Sequence, residues 1–183
     1  MQGTKMSKKN VTPTGKEIFF PEDQIIVSKT DLKGKITYTN ILFEEMSGYT
    51  RDELLGQPHN LIRHPDMPHC IFKLFWDTLQ QKQEIFAYVI NMHVSGDHYW
   101  VLAHVVPTYD LRGTHVGYHS SRRSPDRKIV QQMQAYYKEL SAIEKNHANL
   151  KEGTQAALDN FTDFLKQKDI SYGEYIFSLN KAA

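Results

Sequence analysis

The 183-residue chain has one cysteine, Cys70, which excludes an internal disulfide and leads us to expect a reducing, cytoplasmic setting. Charge of one sign is equally scarce in excess. Twenty-two basic residues face 21 acidic ones, a formal net charge of +1, so no overall field draws the chain to nucleic acid or to an anionic membrane. No apolar run approaches the ~20 residues needed to span a bilayer, and the polar opening MQGTKMSKKN lacks the apolar stretch of a signal peptide. GxSxG, Walker A, GxGxxG, HExxH and Cx2C patterns are all missing. The chain is therefore expected not to be an enzyme, not to insert into a membrane and not to bind zinc.

What is present suffices for a packed core: 40% of the residues are hydrophobic and 11% aromatic. Residues 1–22 are polar, broken by Pro13 and Pro21, and are expected to be a flexible segment with Ile18, Phe19 and Phe20 as a docking patch. Residues 24–29 read as a strand rich in β-branched side chains, Asp31-Leu32-Lys33-Gly34 as a hairpin turn, and 35–39 as a second strand. A short helix runs from Ile41 to a stop at Gly48. Another opens at Thr50, where Thr50 and Glu53 form a capping-box pattern. Apolar side chains at Ile71, Phe72, Phe75, Trp76 and Leu79 mark a helix over 68–82. From Glu84 the period shortens to two. Residues 84–93, 97–109 and 114–122 read as strands separated by turns at Ser95-Gly96 and Arg112-Gly113. The fold class is α+β, a five-stranded antiparallel sheet with short helices on one face, and a pocket is expected between those helices and the sheet.

After Pro125 the pattern changes to an alternation of four and three through Ile129, Met133, Tyr136, Leu140, Ile143, His147, Leu150, Thr154, Ala157, Phe161 and Phe164. This is the seam of a coiled coil or a helical hairpin, with Lys151-Glu152-Gly153 as a turn between two helices. Such a segment either packs on its own domain or dimerises and docks a partner. Ile170 to Leu179 carries Tyr172, Tyr175, Ile176 and Leu179 on one face and can cap the bundle.

The most unusual stretch is GQPHNLIRHPDMP, residues 56–68. It concentrates two His, an Arg, an Asp and three Pro. Each proline fixes φ and removes a donor, so the loop is stiff without being regular, and a stiff loop bearing Arg and His is suited to holding an anion or a polar ring.

In order, TDLKGKITYTN (30–40), FEEMSGYTRDELLGQPHN (43–60), FKLFWDTL (72–79) and GDHYWVLAHVVPTYDLRGTHVGYHSSRR (96–123) resemble a PAS domain. The RHPDMP and GDHYWV blocks are similar to the flavin-binding PAS domains of the aerotaxis-receptor (Aer) type, here in a soluble, stand-alone form. The resemblance covers residues 24 to 124, about half of the chain. It implies a PAS fold at 23–124 between the flexible segment 1–22 and a helical output and dimerisation segment at 125–183. It further implies a non-covalent flavin, FAD with FMN as the alternative, sensing of redox or oxygen status, and relay to a methyl-accepting chemotaxis-type transducer, the chain itself forming a homodimer.

A flavin requires apolar walls, partners at its pyrimidine edge and donors for any phosphate. Asn40 and Asn91 carry amides that both donate and accept; the competing roles are a helix cap before Ile41 for Asn40 and an outward strand position for Asn91. Arg63 can clamp a phosphate or pair with Asp66, and His64 can stack on or donate to a ring, unless Arg63, His64 and Asp66 only brace their own loop. The resemblance implies that Arg63, His64 and Asp66 retain FAD and that Phe72 lies near the flavin, whereas Trp76 reads as core packing. The chain departs from the family at Ile85, where a Trp is usual, and at 90–96, where only Asn91 and Gly96 remain of a basic run. Haem b in the same pocket is an alternative, with His64 or His69 as axial ligand, and a cofactor-free PAS dimerisation module is another. Cys70 does not stand in the motif of flavin–thiol photosensors.

Overall fold

A computed structural model describes residues 11–181, so the expectation for residues 1–10 lies outside the described residues. The sheet is built from β1 (Ile26–Asp31), β2 (Ile36–Thr39), β3 (Ile85–Met92), β4 (His98–Tyr109) and β5 (His115–Arg123). Its strand order is β2-β1-β5-β4-β3, antiparallel throughout. Between β2 and β3 come α1 (Ile41–Ser47), α2 (Arg51–Leu54), a 3-10 turn (His59–Ile62) and α3 (His69–Gln80). The PAS fold expected from the sequence is the one observed.

Local chemistry explains most boundaries. The Asp31 carboxylate accepts from the Lys33 and Lys35 amides, 2.8 Å each, and Gly34 takes φ 73°, which closes the β1–β2 turn on a residue free to adopt it. The Thr50–Glu53 capping box opens α2, and Gly48 at φ 73° ends α1. A Cβ at Gly34 would stand 3.0 Å from the Trp76 ring, so this glycine also lets the turn rest on α3.

Alternation sorts the sheet into two faces. Ser28, Val89, Asn91, Ala103, Val105, Tyr118, Ser120 and Arg122 point inward beneath α3. Phe86 and Trp100 point the other way, and there Phe86 stacks on His104 with centroids 4.0 Å apart and meets Phe177, while Tyr137 stacks on Trp100 at 5.8 Å.

The aromatics contacted on that outer side belong to the C-terminal helices α4 (Arg127–Lys145) and α6 (Tyr172–Lys181); between them comes α5 (Leu150–Gln167). The seam closes within the chain, as a helical hairpin in which Tyr136 meets Phe161 and Phe164, both at 5.6 Å. The hairpin turn is 146–149, not Lys151–Gly153 as the glycine suggested. Gly153 lies inside α5, at a point where a Cβ would overlap the Glu144 carbonyl; it permits close helix approach rather than a break. Tyr137 donates its hydroxyl to the Tyr88 carbonyl at 2.7 Å, satisfying an acceptor on the outer edge of β3, where no further strand pairs among the described residues.

Residues 11–22, expected to be flexible, lie along the start of β4. The Ile18 amide donates to the His98 carbonyl (2.8 Å) and the His98 amide to the Lys16 carbonyl (2.9 Å). Glu17 receives both guanidinium arms of Arg127 at 2.6 and 2.7 Å. Of the expected docking patch, Phe20 is buried and Phe19 lies beneath the Arg127 guanidinium, 5.0 Å from it.

Candidate ligand-binding site

Between α3 and the inner sheet face lies a cavity of about 550 Å³, inside the range of small-molecule sites. Two of its walls are apolar. Phe72, Phe75, Trp76 and Leu79 come from α3, whose apolar residues recur at helical spacing, and Val89, Ala103, Val105 and Tyr118 come from the sheet. Trp76 thus lines the cavity rather than serving only as core, and it meets Tyr118 edge-on at 5.6 Å.

The polar side is unusual because it is incomplete. Asn91, Ser120 and Arg122 are all buried and all line the cavity, yet Asn91 Nδ2, Ser120 Oγ and Arg122 Nη1 have no hydrogen-bond partner. An unmet buried donor costs about 1–3 kcal/mol, more if charged, so three of them facing one space mark a place where something else supplies acceptors. Arg122 donates Nη2 to Ser28 Oγ at 2.8 Å and to His59 Nε2 at 2.6 Å, and its guanidinium lies 5.3 Å from the Phe43 ring. No carboxylate among the described residues pairs with it. Loss of water pushes its pKa down to about 10. Burial first, then the Arg122 charge, pushes the His59 imidazole down to about 3, so His59 is neutral and offers Nε2 as an acceptor. Lys33, Arg63 and Lys73 place three further cations on the wall.

Of the six residues nominated from sequence, the fold brings Arg63, Phe72 and Asn91 together on the cavity wall. Arg63 places its guanidinium carbon over the Phe72 ring, 3.9 Å from the centroid, and donates to the Met67 carbonyl at 3.3 Å, and its backbone bridges to that of Asn91. Burial lowers its pKa, against the nearby Glu144 charge. Asn40, His64 and Asp66 are not among the lining residues. Asn40 is occupied by the backbone: its Oδ1 accepts from Phe43 N, capping α1, and from Val27 N, while Nδ2 donates to the Ile25 carbonyl. His64 is buried and accepts from the Asp66 amide at 3.2 Å, with its own amide bonded to the Ile90 carbonyl. The Asp66 carboxylate points to solvent, 3.8 Å from His64. These last two brace the proline loop, which in turn holds Arg63 against β3. His59, Ser120 and Arg122 escaped the sequence reading. A signal existed for two of them: Tyr118, Ser120 and Arg122 alternate, so polar residues occupy inward positions of β5.

Residues 36–121 match the family model described as the PAS fold. Residues 36–121 are a PAS domain. The chain is similar to the aerotaxis receptor of Escherichia coli (strain K12), 41% identical over 121 residues, which is 66% of this chain and 24% of the receptor. It is also similar to a nitrogen fixation regulatory protein of Klebsiella pneumoniae, 32% identical over 89 residues, 49% of this chain and 18% of that protein. The chain thus spans a quarter or less of these relatives. Among solved structures, the PAS domain of a protein from Colwellia psychrerythraea superposes with a TM-score of 0.50 at 24% identity, over 55% of this chain and 86% of that one. A light-oxygen-voltage domain studied with a flavin analogue superposes with a TM-score of 0.53 at 16% identity, over 60% and 82%. Among the described residues, no helix is long and apolar enough to cross a membrane.

Proposed function

We propose that this chain is a redox- and oxygen-sensing signal-transduction protein whose PAS cavity holds a non-covalent flavin, FAD, and relays its redox state to a chemotaxis-type transducer. The observation that carries the reading is the convergence of unpartnered atoms of Asn91, Ser120 and Arg122 on a cavity with aromatic walls. A bound flavin supplies a redox centre whose hydrogen-bonding demand and charge change on reduction. The residues suit it. The Asn91 amide donates and accepts; Arg122 favours negative charge in a dry site; Phe72 and Trp76 give flat apolar surface; Lys33, Arg63 and Lys73 offer cations to phosphate. The similarity to an aerotaxis receptor supports both the sensing role and the chemotaxis-type partner. The route outward is short, because β5 ends at Arg123 and α4 begins at Arg127, capped by Asp126, whose carboxylate accepts from the Lys128 amide at 2.7 Å.

One arrangement favours haem as the second reading. His69 lines the cavity, and its Nδ1 meets the Glu144 carboxylate at 3.1 Å, a carboxylate–histidine pair that leaves Nε2 free for iron. His64 is buried away from the cavity wall. The absorption spectrum of protein purified from cells supplied with riboflavin and haem precursors decides. Two flavin bands support the proposal, a single intense Soret band supports haem, and a colourless preparation supports a cofactor-free module.

A further inference from the structure

We propose that the α4–α5 hairpin is itself part of the ligand site, and that its docking and ligand binding hold each other in place through Glu144. The flavin reading enters only in naming the ligand.

The helix that carries Phe72 and Trp76 begins after Pro68, which offers no side-chain cap, and the first-turn amides of any helix need acceptors. Glu144, in the last turn of α4, supplies one from 74 residues away. Its carboxylate accepts from the Cys70 amide at 2.7 Å and meets His69 Nδ1 at 3.1 Å. Glu144 is buried, and among the described residues its ion-pair partner is His69. A carboxylate leaves water at large cost unless it is received; here a helix N-terminus and an imidazole receive it. Across the hairpin, Gly153 backs onto the Glu144 carbonyl, and the next residue, Thr154, reaches the cavity wall. A closed circuit results: cavity, Thr154, Gly153, Glu144, the first turn of α3, and cavity again. Lifting the hairpin removes a piece of wall and uncaps α3, which forms another, in one motion. A ligand filling the cavity therefore binds the docked state better than the lifted one, and must shift the hairpin toward docking; the reciprocal effect follows from linkage.

The test uses the full chain, FAD as the probe, Glu144→Gln and Thr154→Tyr, with FAD titration and hydrogen exchange read together. In the wild type, FAD should slow exchange over residues 127–167 at least tenfold. Glu144→Gln should raise the FAD dissociation constant tenfold or more, and speed exchange over 69–76 in ligand-free protein. Thr154→Tyr, which alters the wall but leaves the Glu144 contacts with His69 and Cys70 in place, should weaken FAD comparably while leaving ligand-free exchange over 69–76 unchanged. Equal FAD affinity in all three proteins, or hairpin exchange indifferent to bound FAD, overturns the proposal. If the wild type takes up no FAD, the FAD reading fails, and exchange over 69–76 in ligand-free Glu144→Gln decides whether the hairpin holds the α3 wall: faster supports that link, unchanged overturns it. Should Glu144→Gln not fold, the wild-type slowing of exchange over 127–167 by FAD, read with the loss of affinity in Thr154→Tyr, carries the decision.

Discussion

Arg122 and His59 show how one residue can disclose a site. A buried guanidinium without a carboxylate is destabilising in the ligand-free fold, so its presence points to a benefit realised elsewhere. Arg122→Met, of similar length and no charge, should therefore separate stability from binding. Ligand-free protein should gain on the order of 1 kcal/mol in urea unfolding, while flavin retention falls tenfold or more; a variant that both unfolds more easily and keeps its flavin would assign Arg122 to structure. His59 gives a pH signature. In the unfolded chain its imidazole takes a proton near 6.5, but in the fold only near 3. Between those values the unfolded state binds the extra proton, so stability falls as pH drops through that window, by at most ~1.4 kcal/mol per pH unit, and His59 contributes no slope above it. His59→Gln keeps an acceptor for Arg122 and removes the titration. Urea unfolding at pH 7.5 and 4.5 should then differ less in the variant than in the wild type. Neither residue was legible beforehand: His59 sits in a loop rich in competing candidates, and Arg122 ends a strand beside Arg123, where a basic pair reads as solvated until strand parity is imposed.

At the scale of elements, strands and turns were legible because their causes are local. Asp31 and Gly34, Thr50 and Glu53, and Gly48 each act within a few residues of themselves. The helical hairpin was legible as a seam but not as a turn, since a glycine that breaks a helix and one that admits a neighbouring helix look alike in sequence. The signal that fixes the start of α5 is Asn149, whose Oδ1 accepts from the Glu152 amide at 3.0 Å. The two meanings of Gly153 predict opposite outcomes for Gly153→Ala. Helix propensity alone would stabilise the protein by about 1 kcal/mol. Overlap with the Glu144 carbonyl, a backbone atom that cannot swing aside, costs about 1–3 kcal/mol, and the depth of that overlap places the cost at the upper end. A net loss of about 1–2 kcal/mol in chemical denaturation is expected, and a net gain would return Gly153 to the role of a helix interruption.

For the molecule as a whole, the proposed relay rests on one thermodynamic requirement. If reduction of the bound flavin biases the C-terminal helices, then a partner that grips those helices must bias reduction, because coupling between two sites is reciprocal. Two physical paths connect them: β5 runs through Arg122 directly into α4, and the cavity wall α3 is capped by Glu144 of that same helix. The cavity is roofed by elements from both halves of the chain, so a change in charge beside Arg122 cannot leave the hairpin's docking energy untouched unless every contact compensates. Couplings of this kind are typically about 1–3 kcal/mol, and for a two-electron couple roughly 30 mV corresponds to 1.4 kcal/mol. Saturating the protein with the proposed transducer should therefore move the midpoint potential of the proposed flavin by some tens of millivolts, as read in a spectroscopic redox titration. Glu144→Gln, with the hairpin loosened, should shrink that shift toward zero even at saturating partner. A shift of full size in the variant would route the signal through β5 alone, and no shift in the wild type would remove redox relay through the helices altogether.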